Sequence, residues 1–105
     1  MGEKVLDGRR YSWDDAKRKL VRRDHGIDLA SLPEVFGRPT VEIEAQSDDQ
    51  DGWRFKMLGL ATHVVVVVYT ARDDSSEIRL VTAWKANKVE QSLYYREVFG
   101  ESYPG

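Results

Sequence analysis

Cysteine is absent from this chain of 105 residues. Its absence excludes a disulfide framework, a thiol nucleophile and a zinc site built on thiolates. Histidine is almost as scarce, since His25 and His63 are the only two, and neither has a carboxylate partner at metal-ligand spacing. A glycine-rich phosphate loop and a recognisable Ser/His/Asp arrangement are also missing. We therefore expect neither a metal site nor a cofactor.

Long apolar stretches are missing as well. The longest, Val64–Val68 extended by Tyr69, is far shorter than the ~20 residues of a membrane-spanning helix. The first residues lack the apolar stretch of a secretion signal, so we expect a cytoplasmic protein without a membrane segment. With 41% hydrophobic and 32% charged residues, the composition suits one domain over residues 1–105.

Neither positive nor negative charge is in large excess, because the formal net charge is only -2. The charged residues are nevertheless unevenly distributed along the chain. Residues 9–25 contain seven basic and three acidic side chains, whereas residues 42–51 contain five acidic and no basic ones. Such polarity can attract phosphate to one side of an acidic molecule. It is also typical of two solvated faces that promote solubility.

The N-terminal half predicts two helices after a loose tail over residues 1–8. Ser12 and Asp15 have capping-box spacing before apolar residues at helical intervals, so a helix is predicted over about 13–24. Gly26 suits its C-terminal cap. A second, short helix is predicted near residues 27–36, beginning at Ser31 or alternatively after Asp28.

Four strands and a last helix follow. Strand-like alternation or buried runs occupy residues 41–45, 53–58, 64–69 and 78–83, joined by short connections. Asn87 then predicts a helix over about 88–98. We therefore expect an α+β fold in which a small antiparallel four-stranded sheet is flanked by two N-terminal helices and one C-terminal helix.

Basic residues occupy outward positions of these strands. Arg54, Lys56 and Arg79 alternate with apolar residues, and Arg72 follows a strand end. If the strands form a meander, these cations can share a face that binds phosphate. Ordinary solvent-facing residues would give the same pattern, and the nearby tyrosines that suit base stacking, Tyr94, Tyr95 and Tyr103, equally suit a core.

Over about residues 11–95 the chain resembles the BrnT family of type II toxin–antitoxin toxins. Short sequence pieces in the same order carry the resemblance: Trp13-Asp14 with Lys17, His25-Gly26, Val35-Phe36 with Pro39, Arg54-Phe55 with Leu58-Gly59, Tyr69-Thr70 with Arg72, Ile78-Arg79, Thr82-Ala83, Lys85-Ala86, Glu90 and Tyr94.

The resemblance implies a RelE-like fold and a metal-independent ribonuclease that inhibits translation. It also implies a hetero-oligomer with a BrnA-like antitoxin, through which alone DNA would be contacted. The implied chemistry is attack of a ribose 2′-hydroxyl on its own phosphate, with cations stabilising the added charge. The site residues expected from the resemblance and the charge pattern are Arg54, Arg72, Arg79 and Lys85 for catalysis, and Lys56, Lys88 and Tyr94 for substrate binding.

Two departures from the family pattern leave other functions open. Trp53 stands where the family usually has an acidic residue, and Trp84 stands where it usually has an arginine. Tryptophan is a common anchor in protein interfaces, so one alternative is a toxin-fold protein that binds an antitoxin but no longer cuts RNA. Another is a non-catalytic RNA-binding domain that uses the basic residues of the 9–23 segment together with the tyrosines.

Overall fold

The computed structural model describes residues 1–48, 52–71 and 77–100. Two strands lead into an α-helix and a 3₁₀ helix, after which four strands and a second α-helix follow. The elements are β1 (Gly2–Leu6), β2 (Arg9–Trp13), α1 (Asp15–His25), the 3₁₀ helix (Leu29–Gly37), β3 (Val41–Asp48), β4 (Gly52–Leu60), β5 (Val64–Ala71), β6 (Glu77–Lys85) and α2 (Lys88–Phe99).

The α+β class is confirmed, but the sheet is mixed and has six strands rather than four antiparallel ones. Its order is β1-β2-β6-β5-β4-β3, and β2 pairs in parallel with β6 while every other pair is antiparallel. The additional strands come from residues 1–13, much of which was expected to be a loose tail. Asp7 and Gly8 both have positive φ, which is the backbone of a tight hairpin turn, and this turn pairs β1 with β2.

The helix caps explain where the predicted boundaries shift. Asp14, rather than Ser12, caps α1, and its carboxylate accepts from the backbone nitrogen of Ala16 at 2.8 Å. Gly26 closes α1 in the left-handed conformation, as predicted. The α2 prediction is also confirmed, because Asn87 forms a capping box with Glu90.

The second predicted helix is a 3₁₀ helix, so the pair of N-terminal helices consists of one α-helix and one 3₁₀ helix, both placed after the hairpin. Asp28, the alternative cap, begins it by accepting from the backbone nitrogen of Ala30 at 3.0 Å. Arg18 binds the same carboxylate at 2.7 Å, and this hydrogen bond lowers the pKa of Asp28 below its usual value. Ser31 instead donates its hydroxyl to the backbone oxygen of Asp28.

The sheet carries a hydrophobic core on each face. We name the faces after the helices that cover them: the α1 face lies under α1 and the 3₁₀ helix, and the α2 face lies under α2. Val64–Val68 is buried throughout, as its unbroken apolar run predicts. Odd-numbered valines of this run join the α1-face core, while Val64 and Val66 join Leu58, Ala86 and Tyr94 on the α2 face.

Helix α2 covers only part of its face. The hydrophobic cluster beneath α2 includes the partly buried residues Val41, Ile43, Leu60 and Trp84, which lie toward one end of the strands. The other end of that face carries exposed or half-buried polar side chains. No helix among the described residues is long and apolar enough to cross a membrane.

Candidate functional site

A β-bulge in β6 decides which side chains reach the open part of the α2 face. Tyr69 of β5 is opposite Leu80, but the preceding residue, Val68, is opposite Thr82. Val81 is therefore an extra residue on β6. A bulge of this kind interrupts the alternation of side chains between the two faces of a sheet.

The bulge separates two residues that unbroken alternation would place together. Arg79 lies on the α2 face before the bulge, whereas Thr82 and Trp84 lie on that face after it. Ala83 and Lys85 consequently point to the α1 face, where Ala83 is fully buried in the core. Arg79 and Lys85 thus lie on opposite faces of the sheet.

Two arginines flank a threonine on the open part of the α2 face. Arg54 is opposite Thr70, and Thr70 is opposite Arg79 on its other side. Side chains of directly opposed residues share a face, and two strand spacings place the two arginine Cα atoms about 10 Å apart. Both arginines are exposed, and within the described part of the chain neither forms an ion pair. Arg79 donates a hydrogen bond to the sulfur of Met1 at 2.9 Å, a weak acceptor, so both guanidinium groups can bind one anion above Thr70.

The neighbouring row on the same face carries a third cation and a carboxylate. Lys56 is opposite Val68 and Glu44, and its Nζ lies 3.4 Å from Glu44 Oε2. Gln46 donates to the other oxygen of Glu44 at 2.8 Å. We call Arg54, Lys56, Thr70, Arg79 and Thr82 together the cationic half-sheet.

Sequence reasoning missed three neighbours of the predicted cations. Thr70 follows the valine run at the position that pairs with both arginines. Plain strand alternation would place Glu44 on the same solvent-facing side as Glu42. A second bulge at Ile43 places Glu42 opposite Met57 and Glu44 opposite Lys56, on different faces. The alternation of β5 could have identified Thr70. The bulges hide Thr82 and Glu44, since a bulge leaves no local sequence signal here.

The comparison with known protein families shows to which family the chain belongs. The model of the family described as "Ribonuclease toxin, BrnT, of type II toxin-antitoxin system" matches residues 13–90, well over half of the chain. The chain belongs to the BrnT family. The resemblance noted in the sequence is thereby confirmed, and the matched span contains the whole cationic half-sheet. Strand β1 and most of β2 lie outside it.

A solved structure agrees with this placement. The crystal structure of the Brucella abortus ribonuclease toxin BrnT is similar to this chain with a TM-score of 0.54 and 20% sequence identity. The match covers 73% of this chain and 95% of the Brucella chain. At this identity the likeness shows that the two proteins share the BrnT fold. No protein of curated function matches the chain in sequence.

The remaining cations expected from the BrnT resemblance do not join the cationic half-sheet. Lys85 lines a shallow cleft with Asp24, His25 and Gly26 at the end of α1, together with Trp84. Lys88 is exposed at the first residue of α2. Arg72 lies outside the described residues. Among those described, no three His, Asp or Glu side chains cluster as metal ligands would.

Tyr94 occupies a core position rather than an open one. Its side chain is 1% exposed, and its hydroxyl donates to the backbone oxygen of Pro39 at 2.9 Å. Burial raises the pKa of Tyr94. Tyr94 therefore anchors α2 to the chain that enters β3, while Tyr103 lies outside the described residues.

The two tryptophans that depart from the BrnT pattern lie on opposite faces. Trp53 is 40% exposed on the α1 face and stacks on Phe55, with ring centroids 6.3 Å apart. Phe55 continues this aromatic row by stacking on Tyr69 at 5.2 Å. Because consecutive strand residues point in opposite directions, an acidic side chain at position 53 would also point away from Arg54. Trp84 alone shares the face of the two arginines.

Proposed function

We propose that this protein is the toxin of a type II toxin–antitoxin system and cuts RNA at the cationic half-sheet without a metal ion. The observation that carries the proposal is the placement of two arginines on either side of Thr70, neither of them paired with an acid among the residues that the structure describes. Membership of a ribonuclease toxin family supports RNA as the target. Phosphate is the RNA group that a pair of guanidinium groups binds best.

The proposed reaction is attack of a ribose 2′-oxygen on the adjacent phosphorus. The bond between phosphorus and the 5′-oxygen breaks, which leaves a 2′,3′-cyclic phosphate and a free 5′-hydroxyl. Arg54 and Arg79 stabilise the extra negative charge on the phosphate as the new bond forms. Glu44 accepts the 2′-hydroxyl proton, and water supplies a proton to the leaving oxygen.

The other residues expected at the site have proposed roles around the two arginines. Lys56 orients Glu44 through their 3.4 Å ion pair and adds positive charge to the same face. Lys85 and Lys88 bind RNA away from the reacting phosphate, because Lys85 points to the other face of the sheet. Arg72, which follows β5 in the sequence, stays a predicted phosphate ligand.

The proposed partners follow from the toxin–antitoxin family. The protein forms a hetero-oligomer with a BrnA-like antitoxin, and only the antitoxin contacts DNA. In the cytoplasm the released toxin inhibits translation by cutting RNA. Growth arrest on expression, relieved by the cognate antitoxin, is the cellular result expected from this arrangement.

The test is incubation of the purified protein with total RNA, with and without EDTA. We expect cleavage that resists EDTA and falls by about 100-fold or more in Arg54→Ala and Arg79→Ala, the loss typical of one missing charge-stabilising donor. Lys19→Ala, which removes an exposed cation from α1, is the matched control and should cut normally. Cleavage that needs a divalent ion, or survives both arginine changes, would contradict the proposal.

Lys85→Ala distinguishes between two candidate reaction centres, the cationic half-sheet and the cleft that Lys85 lines with His25. If the chemistry takes place on the cationic half-sheet, this change reduces cleavage by less than about tenfold, as expected for a binding contact remote from the reacting phosphate. A loss as large as that of Arg79→Ala would instead place the reaction at the cleft that Lys85 shares with His25.

A second candidate function is favoured by Trp53. A 40% exposed tryptophan at the end of a stacked aromatic row is a typical protein-binding anchor, and it lies on the face opposite the arginines. A partner-binding module without catalysis would leave RNA intact while Trp53→Ala weakened antitoxin binding.

A further inference from the structure

We infer that Trp84 and Lys56 form a subsite for an unpaired nucleobase, so that the substrate is single-stranded RNA that lies along β6 with its phosphate at the two arginines. This inference rests on the proposed function and extends it. It starts from the bulge at Val81, which places Trp84 on the same face as Arg79.

The indole of Trp84 packs against the core at the border of the open surface. Trp84 is half-buried in the α2-face cluster, where its strand partner Val66 is fully buried on the same face. A ring packed in this way loses little conformational freedom when another ring stacks on it. Trp84 therefore has the properties of a stacking platform rather than of a mobile surface side chain.

Lys56 connects this platform to the arginines. Its Nζ lies 5.6 Å from the centroid of the Trp84 ring, within the range of a cation–π contact. Lys56 belongs to the row between that of Trp84 and that of Arg54, and successive rows on one face of a strand are about 7 Å apart. An aromatic surface, a single cation and a pair of arginines thus follow one another along the strands.

A nucleotide fits this order of groups. Its phosphate matches the guanidinium pair, and its base offers a flat π surface to the indole beside the ammonium group of Lys56. A base within a duplex is already stacked on both sides and cannot lie on Trp84. The subsite therefore selects RNA segments whose bases are unpaired.

Binding of an RNA oligonucleotide with 2′-O-methyl riboses tests the subsite, because the blocked 2′-oxygen prevents cleavage. We expect Trp84→Leu to weaken binding of the single strand by about 5- to 150-fold, the range for one stacked base. Trp84→Phe should retain most of the affinity, since it keeps an aromatic ring. Trp53→Leu is the matched control on the other face and should bind as the unmodified protein does.

A second measurement does not depend on the stability of the Trp84 variants. In Trp53→Phe the remaining tryptophans are Trp84 and Trp13, and Trp13 is only 4% exposed. The single strand should therefore quench the fluorescence of Trp84, whereas the same sequence in a duplex should not.

The results separate this inference from the proposed function. Equal affinities of Trp84→Leu and Trp53→Leu, or equal binding of single strand and duplex, would overturn the subsite even if the protein cuts RNA. Loss of binding in Trp84→Leu with no cleavage of natural RNA by the unmodified protein would support the subsite and contradict the ribonuclease.

Discussion

At the scale of single residues, the structure explains why a glycine stands at position 59, which the neighbouring sequence does not reveal. Gly59, part of the motif shared with the BrnT family, lies on β4 beneath the 3₁₀ helix. A Cβ atom added there would overlap with Cγ1 of Val35, which is 2% exposed in the α1-face core. The glycine is therefore required by the close approach of the 3₁₀ helix to the sheet and not by catalysis.

Gly59→Ala should lower the free energy of unfolding by about 1–3 kcal/mol, because the added methyl group overpacks the core against Val35. Urea unfolding followed by tryptophan fluorescence measures the change. Gly37→Ala is a suitable control, since a Cβ atom at Gly37 has no heavy atom within 4 Å. Equal effects of the two substitutions would show that the contact with Val35 does not limit the size of residue 59.

At the scale of elements, the bulge in β6 decides which residues of this strand enter the α1-face core and which lie on the α2 face. Ile78 and Leu80 enter the α1-face core before the bulge, and Ala83 enters it afterwards. An unbroken strand would place Ala83 on the same face as Arg79. The bulge takes Val81 out of the alternation, so that the apolar residues at both ends of the strand enter one core and Arg79 faces the open surface.

Deletion of Val81 should leave unfolding cooperative, because it removes the extra residue and returns β6 to plain alternation. Leu80 and Thr82 then become neighbours on opposite faces, and Ala83 stays in the α1-face core. Circular dichroism and urea unfolding measure the outcome, and Val81→Ala, which keeps the bulge, is the control. Loss of cooperative unfolding in the deletion variant alone would show that β6 needs the bulge itself and not only the placement of its core residues.

At the scale of the whole molecule, the basic segment of residues 9–25 does not act as one patch. Several of its arginines are ion-paired, to acids on β1, on α1 itself and on the chain after α1: Arg10 with Glu3, Arg23 with Asp24 and Arg18 with Asp28. The acidic segment is divided as well, because Glu42 and Glu44 lie on different faces. The cationic half-sheet, the proposed site for RNA, is thus a local cluster on a molecule of net charge -2 rather than part of a large basic surface.

Binding of a single-stranded oligonucleotide should accordingly show a shallow dependence on salt. The two arginines contribute about -1.4 to the slope of the logarithm of the affinity against that of the salt concentration, and Lys85 and Lys88 contribute at most about the same again. Arg79→Ala should reduce the magnitude of the slope by about 0.7. Lys19→Ala should leave the slope unchanged. A slope several times steeper, reduced by Lys19→Ala, would instead support the RNA-binding domain that uses the basic segment.

Periodic patterns determined much of the fold in advance. Local sequence was sufficient to predict α2 with its Asn87 cap, the end of α1 at Gly26 and the burial of Val64–Val68. Caps and apolar runs can be predicted in this way because each depends on a few neighbouring residues. The ordered short motifs also identified the BrnT family. Strand β1 escaped prediction, since its pairing depends on a hairpin partner and not on an apolar period of its own.

The sequence by itself determined that Arg54 and Arg79 lie on strands where they alternate with apolar residues, on the side away from those residues. Only the tertiary structure decided that they share their face with Thr70, Glu44 and Trp84, and that Lys85 does not. The physical reason is the pair of bulges in β3 and β6. Each inserts one residue and exchanges the faces of all residues beyond it, and its position is set by which partner strand offers core on either side.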